Sequence, residues 1–436
     1  MTALEKLGAF VANHIPNEPA CADARLHAAD AVGAWIAASA TKEGKLLRGF
    51  RQPGASLPDH VAINCALVRL SEIDDIHLGS MVTPGAIVVP AALTIAAALP
   101  DLEENELAAA IIAGYEAMIR LGAAIDGPSV LYRGIWPTYF AAPFGVAATA
   151  ARLMRLSTEQ TANALSLALI AASPGTGHHA ATTTARWLAA GYAASRGLQA
   201  ALAAGAGFTS DLKIADGDFL KNIYNVAPNA DLIANGWDKP ALSDTSFKPW
   251  CAARQTMAAT QALKELMAEG VTVDSIVRIG VAVLPPHLKM IDHGVSMGDR
   301  FSFLTSVQYQ LAVAAISPDA AYGLSAPNGP TPPDLLFFME RIKVRAEDSL
   351  LTAGYPQAWP AHVTVTTRAK RHDRGVIHVP GDPARRWDED ALKAKFLAVM
   401  KPALKEEPAE PVFELALRGI NDPAAVVAEI ERLAAL

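Results

Sequence analysis

The sequence predicts a mainly α fold: a large all-helical domain, a smaller α+β segment after it, and helices again at the end. Three observations carry this reading. About half of the 436 residues are apolar, and alanine, the strongest helix former, is used heavily. Apolar residues recur at helical spacing in stretch after stretch up to roughly residue 240. After Phe247-Lys248-Pro249-Trp250 the texture changes to alternating β-branched residues punctuated by turns. The domains expected are 1–246, all-helical and completed by helices in 401–436, and 247–400, α+β.

The elements follow in order. Helical periodicity covers Ala24 to Ala40, Glu104 to Ala124, Phe140 to Leu156, Thr158 to Ala172 and Ala181 to Ala204. Ser157-Thr158-Glu159 reads as a helix start, and Pro53-Gly54, Gly127-Pro128 and Pro174-Gly175 read as breaks. Pro84 to Pro100 is the most apolar stretch; short and bounded by prolines, it reads as a buried helix rather than a membrane span. Val271 to Leu284 reads as a strand, Ser302 to Ala315 as a helix and Ile342-Lys343-Val344 as a short strand. His362 to Thr367 and Gly375 to Val379 read as a hairpin whose tip is Lys370-Arg371-His372-Asp373-Arg374. Helices return over Asp388 to Met400 and Pro423 to Leu436.

Composition narrows the function. A net charge of −7 with no basic stripe argues against nucleic acid and anionic membrane as partners. The N-terminus lacks a basic start followed by an apolar core, so it does not read as a signal peptide. Cys21, Cys65 and Cys251 are odd in number, far apart and without a C-x-x-C pair. They read as small buried hydrophobes in a reducing cytoplasm, not as disulfides, a zinc site or ligands of an iron–sulfur cluster.

The chemistry concentrates in Ser71-Glu72-Ile73-Asp74-Asp75-Ile76-His77, followed by Thr83-Pro84-Gly85 and Val88-Val89-Pro90-Ala91-Ala92-Leu93. Three carboxylates and a histidine crowd against an apolar helix, the arrangement of an active-site wall rather than of a surface helix. No metal-ligand spacing is present in it.

These residues resemble the MmgE/PrpD family, a group that contains 2-methylcitrate dehydratase, cis-aconitate decarboxylase and iminodisuccinate epimerase. Asp30-Ala31-Val32-Gly33 is similar to its early D-x-x-G. Glu72-Ile73-Asp74-Asp75, Pro84-Gly85 and Val89-Pro90-Ala91-Ala92-Leu93 resemble its D-x-D-D … H-P-G … P-A-A-L block. Gly114-Tyr115-Glu116 with Arg120-Leu121-Gly122, Phe247-Lys248-Pro249-Trp250, and Gly381-Asp382-Pro383 with Lys395-Phe396 resemble its later motifs. The resemblance spans nearly the whole chain. It implies a large helical domain with a smaller α+β lid, a homodimer, and lyase chemistry at the carbon α to a carboxylate without metal or organic cofactor.

Such chemistry needs a base, cations or donors around the substrate carboxylate, and for elimination an acid for the leaving group. Glu72 and Asp74 are the candidate bases, with Asp75 a helix cap or support. Lys248, set by Pro249 and walled by Trp250, matches the family lysine. Tyr309 resembles the lid tyrosine, to bind a carboxylate or enolate oxygen or to sit in the core with its hydroxyl satisfied. Arg186 stands at the position of a family lysine, where its planar fork clamps a carboxylate or pairs on the surface. Thr83 and Trp136 occupy two family histidine positions and are carried as substrate-binding candidates. Trp cannot shuttle a proton at neutral pH. His77, His178 and His179 are possible replacements, with His178 placed among the substrate-binding residues. The expectation is therefore a cytoplasmic enzyme on a small carboxylate, of hydro-lyase type. An isomerase or epimerase using the same site, which needs no leaving-group acid, and a silent binding homologue are the alternatives.

Overall fold

A computed structural model of the chain describes all residues except 100, 101, 104, 173–183, 326, 328, 405–407 and 436. It divides into two compact units. The described residues of 1–247 with Asp388–Leu436 make the first, and Lys248–Trp387 make most of the second.

The first unit is helical. Its opening helices are α1 (Ala3–Asn13), α2 (Glu18–Ser39), α3 (Lys42–Phe50), α4 (Leu57–Ser71) and α5 (Gly85–Ala96). Then come α6 (Glu106–Ala124), α7 (Gly127–Leu131), α8 (Pro137–Leu153), α9 (Thr158–Ala171), α10 (Ala185–Gly205), α11 (Phe219–Tyr224) and α12 (Ala230–Ala234). Starts are chemically marked. Thr2 with Glu5, Ser56 with Asp59 and Ser157 with Gln160 form capping boxes at α1, α4 and α9. Every residue of α5 is buried, as its composition predicts, although Pro90 lies inside it. Helix α6 is long and apolar enough to cross a membrane, and 94% of its apolar window is buried in the protein. Helix α10 packs on α4 at backbone distance: a Cβ on Gly191 would lie 2.0 Å from the Ala62 carbonyl oxygen.

The second unit packs helices on a mixed sheet. Strand β1 (Ile276–Val283) pairs parallel with β2 (Ile342–Ala346) and antiparallel with β3 (Ala361–Thr367), which pairs antiparallel with β4 (Arg371–Val376). The parallel β1–β2 pair requires a crossover. It is supplied by a segment holding α14 (Pro285–Ile291), α15 (Arg300–Thr305), α16 (Val307–Ile316) and α17 (Pro333–Glu340). Helix α13 (Arg254–Ala268) lies on the sheet and against α16. Ile279, Val281, Val283, Val363 and Val365 join Met257, Leu263 and Leu311 in the core.

The structure corrects four expectations. The expected hairpin tip is mostly strand: Arg371 to Arg374 pair with Thr366 to Val363 in β4, and the turn lies just before them. The expected helix from Ser302 is two helices, because Ser306 leaves helical geometry and its hydroxyl accepts the Tyr309 N–H. The expected strand from Val271 begins at Ile276, after a 3₁₀ turn over Val273–Ser275. Finally, α18 (Glu389–Leu404), expected in the α+β domain, belongs to the first unit with α19 (Glu410–Arg418) and α20 (Pro423–Ala434). It lies along α2, where the Phe396 ring comes within 2.7 Å of the position a Gly33 Cβ would take, and Lys395 meets Asp30. An ion pair and a ring-to-glycine contact outweigh sequence adjacency.

Candidate active site

Helix α4 ends at Ser71, and Glu72 turns the chain with φ of 57°, in the left-handed region. A non-glycine residue held there stores local strain, which surrounding contacts must over-determine. They do. Ile76 bridges Ser246 in both directions, its N–H donating at 2.9 Å and its carbonyl accepting at 2.8 Å, and the His77 N–H donates to Val82 O at 2.9 Å. Lys395 Nζ donates to Ile73 O at 3.1 Å and to Asp30 Oδ1 at 2.5 Å. Burial pushes the Asp30 carboxyl up, against the pull of Lys395.

Asp75 is the support the sequence suggested. Its carboxylate accepts the Gly85 N–H at 2.7 Å, capping α5, the Tyr115 hydroxyl at 2.6 Å, and His27 Nδ1 at 2.7 Å with the proton on that nitrogen. Burial and then Asp75 raise the Tyr115 phenol well above its ordinary value, so it stays a donor. His27 also stacks on Phe247, with ring centroids 4.3 Å apart.

Glu72 and Asp74 face cations. Arg69 Nη1, from the last turn of α4, donates to Glu72 Oε2 at 2.8 Å and to Asp74 Oδ1 at 3.1 Å. Burial lowers the Arg69 pKa, but Asp74 and Glu72 outweigh it and hold the guanidinium above its ordinary value. On the other side of Glu72, Arg186 Nη2 lies 3.2 Å from Oε1 and the Trp187 indole N–H approaches the same oxygen at 3.5 Å. Arg186 is 3% exposed, which removes the surface-pairing reading. Its guanidinium carbon sits 5.0 Å from the Trp136 ring centroid, and Trp136 stacks on Tyr139 at 5.9 Å and 19°. Thr83, buried, donates its N–H to Thr138 Oγ1 at 3.0 Å, and the two hydroxyls lie 3.3 Å apart. Glu72, Asp74, Arg186 and Trp136 thus join one cluster of the first unit, and Thr83 reaches Thr138, two residues beyond Trp136.

Residues 5–226 match the MmgE/PrpD N-terminal domain, and residues 250–418 match the MmgE/PrpD C-terminal domain. The chain belongs to the MmgE/PrpD family. That family is known for dehydratase and lyase-type activity. No curated protein matches this MmgE/PrpD chain significantly.

Lys248 and Tyr309 lie in the second unit of this MmgE/PrpD protein. Lys248 is 3% exposed. Tyr309 is partly buried, packs edge-on to Phe303 at 5.0 Å, and lines a cavity of about 250 Å³ with Arg300, Gln310 and Cys251. Burial raises its phenol pKa. His178 and His179 lie outside the described residues. His77 is engaged elsewhere: its Nδ1 caps a 3₁₀ turn at the Ser80 N–H, and burial pushes its pKa down to about 4. All three cysteines are buried, and none forms a disulfide among the described residues. Among the described residues, no three His, Cys, Asp or Glu converge as a metal site.

Sequence reasoning missed Arg69, His27, Tyr139 and the role of Lys395. Arg69 had a signal: a lone arginine within the apolar run Val61 to Leu70 needs a buried carboxylate partner. The other three had none, since their partners are remote in sequence or lacking.

Proposed function

We propose that this MmgE/PrpD protein is a cofactor-independent lyase of hydro-lyase type, acting on a small carboxylate in the cytoplasm as a homodimer. One observation carries the reading. Two buried carboxylates, Glu72 and Asp74, share two buried guanidiniums, Arg69 and Arg186, beside a strained turn. Cations already committed to carboxylates of the protein can exchange one of them for a carboxylate of the substrate. In this reading Arg186 and Lys248 hold substrate carboxylates, and Glu72 or Asp74 removes the proton α to one of them. The enediolate carries an added negative charge, which the guanidiniums and the Tyr309 hydroxyl offset. The Cα–Cβ double bond then forms as the β-hydroxyl leaves as water, taking back the proton that Glu72 or Asp74 removed.

An isomerase or epimerase using the same site is the second reading. Thr83 and Trp136 favour it, because returning the proton to carbon needs no leaving-group acid at those positions. Incubating the protein with a carboxylate panel in heavy water tests both. Loss of a β-hydroxyl as water supports the lyase, and α-deuteration of recovered substrate without elimination supports the isomerase. Complete inertness with tight binding of one compound sinks both in favour of a silent binder.

A further inference from the structure

Tyr139 is the residue the mechanism above leaves unused. It sits in the first turn of α8, 2% exposed, and its hydroxyl is buried without a hydrogen-bond partner among the described residues. The other tyrosine hydroxyls described above and nearby are satisfied: Tyr115 donates to Asp75 at 2.6 Å, and Tyr224 to Ala172 O at 2.9 Å. A buried hydroxyl left unmet is costly, and native proteins keep few of them. The surroundings of this one are chemically specific. Its ring stacks on Trp136, whose face carries Arg186, and Arg186 pairs with Glu72, which shares Arg69 with Asp74. An uncommitted donor thus lies in a cluster built from two guanidiniums and two carboxylates.

We propose that the Tyr139 hydroxyl is a catalytic residue that donates a hydrogen bond to an oxygen of the bound carboxylate substrate. The chemistry fits such a donor. A guanidinium attracts a carboxylate strongly, and a phenol adds a directional donor without adding charge. Thr83 and Trp136 supply no imidazole at the two neighbouring positions, and the Trp187 indole N–H is directed to Glu72, so the Tyr139 hydroxyl is a donor of this wall still open to a ligand. The proposal takes the ligand class, a carboxylate, from the lyase reading and nothing else from it.

The test is Tyr139→Phe, which deletes one oxygen and keeps the ring that packs on Trp136. Malonate serves as the probe. The variant should unfold in urea at the wild-type midpoint or above it, since an unmet polar atom is removed. Its malonate affinity, read from the malonate-dependent rise in unfolding temperature, should fall by roughly tenfold or more, the size of one lost charge-assisted hydrogen bond. Equal malonate affinity in the two proteins overturns the proposal, as does a wild type that malonate leaves unshifted. A clear loss of stability in the variant also overturns it, by showing that the hydroxyl already serves the fold. The lyase reading fails separately. Malonate binding that depends on Tyr139, with no turnover of any carboxylate, removes the lyase and leaves the site. Turnover unchanged by Tyr139→Phe does the reverse.

Discussion

Arg186 and Glu72 meet at 3.2 Å with both side chains almost wholly withdrawn from solvent. A guanidinium in that position is preorganised for a carboxylate, and Glu72 occupies the place a substrate carboxylate would contest. On the proposed lyase reading, binding and unmasking of the base would be the same event: a substrate carboxylate that took Arg186 would release Glu72 from one of its two cations.

Arg186→Ala should lower stability by about 1–3 kcal/mol in urea denaturation, because Glu72 keeps Arg69 but loses a charged partner. Turnover should be lost with it. Arg186→Lys keeps the charge and loses the fork, so its stability should recover further than its turnover.

Lys248→Ala should reduce kcat/KM by roughly 10–100-fold, mainly through KM, if the buried ammonium holds a substrate carboxylate. Steady-state kinetics on any substrate found in the panel checks this, and wild-type KM removes Lys248 from the clamp.

Asp75→Ala should be among the more damaging single changes in the first unit, at about 3–5 kcal/mol, since it strips partners from Gly85, Tyr115 and His27 together. Tyr115→Phe removes one of those contacts and should cost about 1–2 kcal/mol. Equal losses for the two variants, measured by urea unfolding, would show that the cap on α5 and the His27 contact together contribute nothing.

Helices α2, α5, α6, α8, α9 and α10 were legible because they are rich in regularly spaced or wholly apolar residues, some with local start signals such as Ser157 with Gln160, whereas α1, α3 and α4 were not read. The role of Asp75 was legible for the same reason, as an acid beside the start of a buried helix. What stayed hidden depended on distance in the chain. Nothing near Lys395 announces Asp30. The break at Ser306 was hidden differently, by an apolar pattern that runs on across it while a hydroxyl captures the Tyr309 N–H. The Arg186 position was read as a carboxylate clamp or a surface pair, and its burial against Glu72 and Trp136, far away in sequence, removes only the surface pair.

Acid should destabilise the fold through its histidines. Burial pushes His77 down to about 4 and, with Arg254 adding to it, His287 down to about 3. For His77, the lowering by burial and Lys239 outweighs the raising by Asp244 and Asp75. Both histidines fold neutral, whereas the unfolded chain protonates them near the ordinary value of about 6.5. Their contribution is therefore intact above pH of about 6.5 and is lost as pH falls toward the folded values. Unfolding temperatures of wild type and His77→Gln should run parallel above that pH. Below it, wild type should fall faster, until pH reaches about 4. Parallel curves throughout would mean that His77 titrates normally in the folded protein.

The Lys395–Asp30 pair also sets an order of events during synthesis. Asp30 leaves the ribosome early, and its cation follows 365 positions later, after the whole second unit. Until then α2 offers a carboxylate without its cation and a glycine notch without Phe396, so the first unit waits half-closed while the second can already fold. Cutting the gene after residue 247 to express the helical unit alone would therefore yield an unfinished piece, whereas excising 248–387 and rejoining the ends would keep Lys395 and Phe396 for α2.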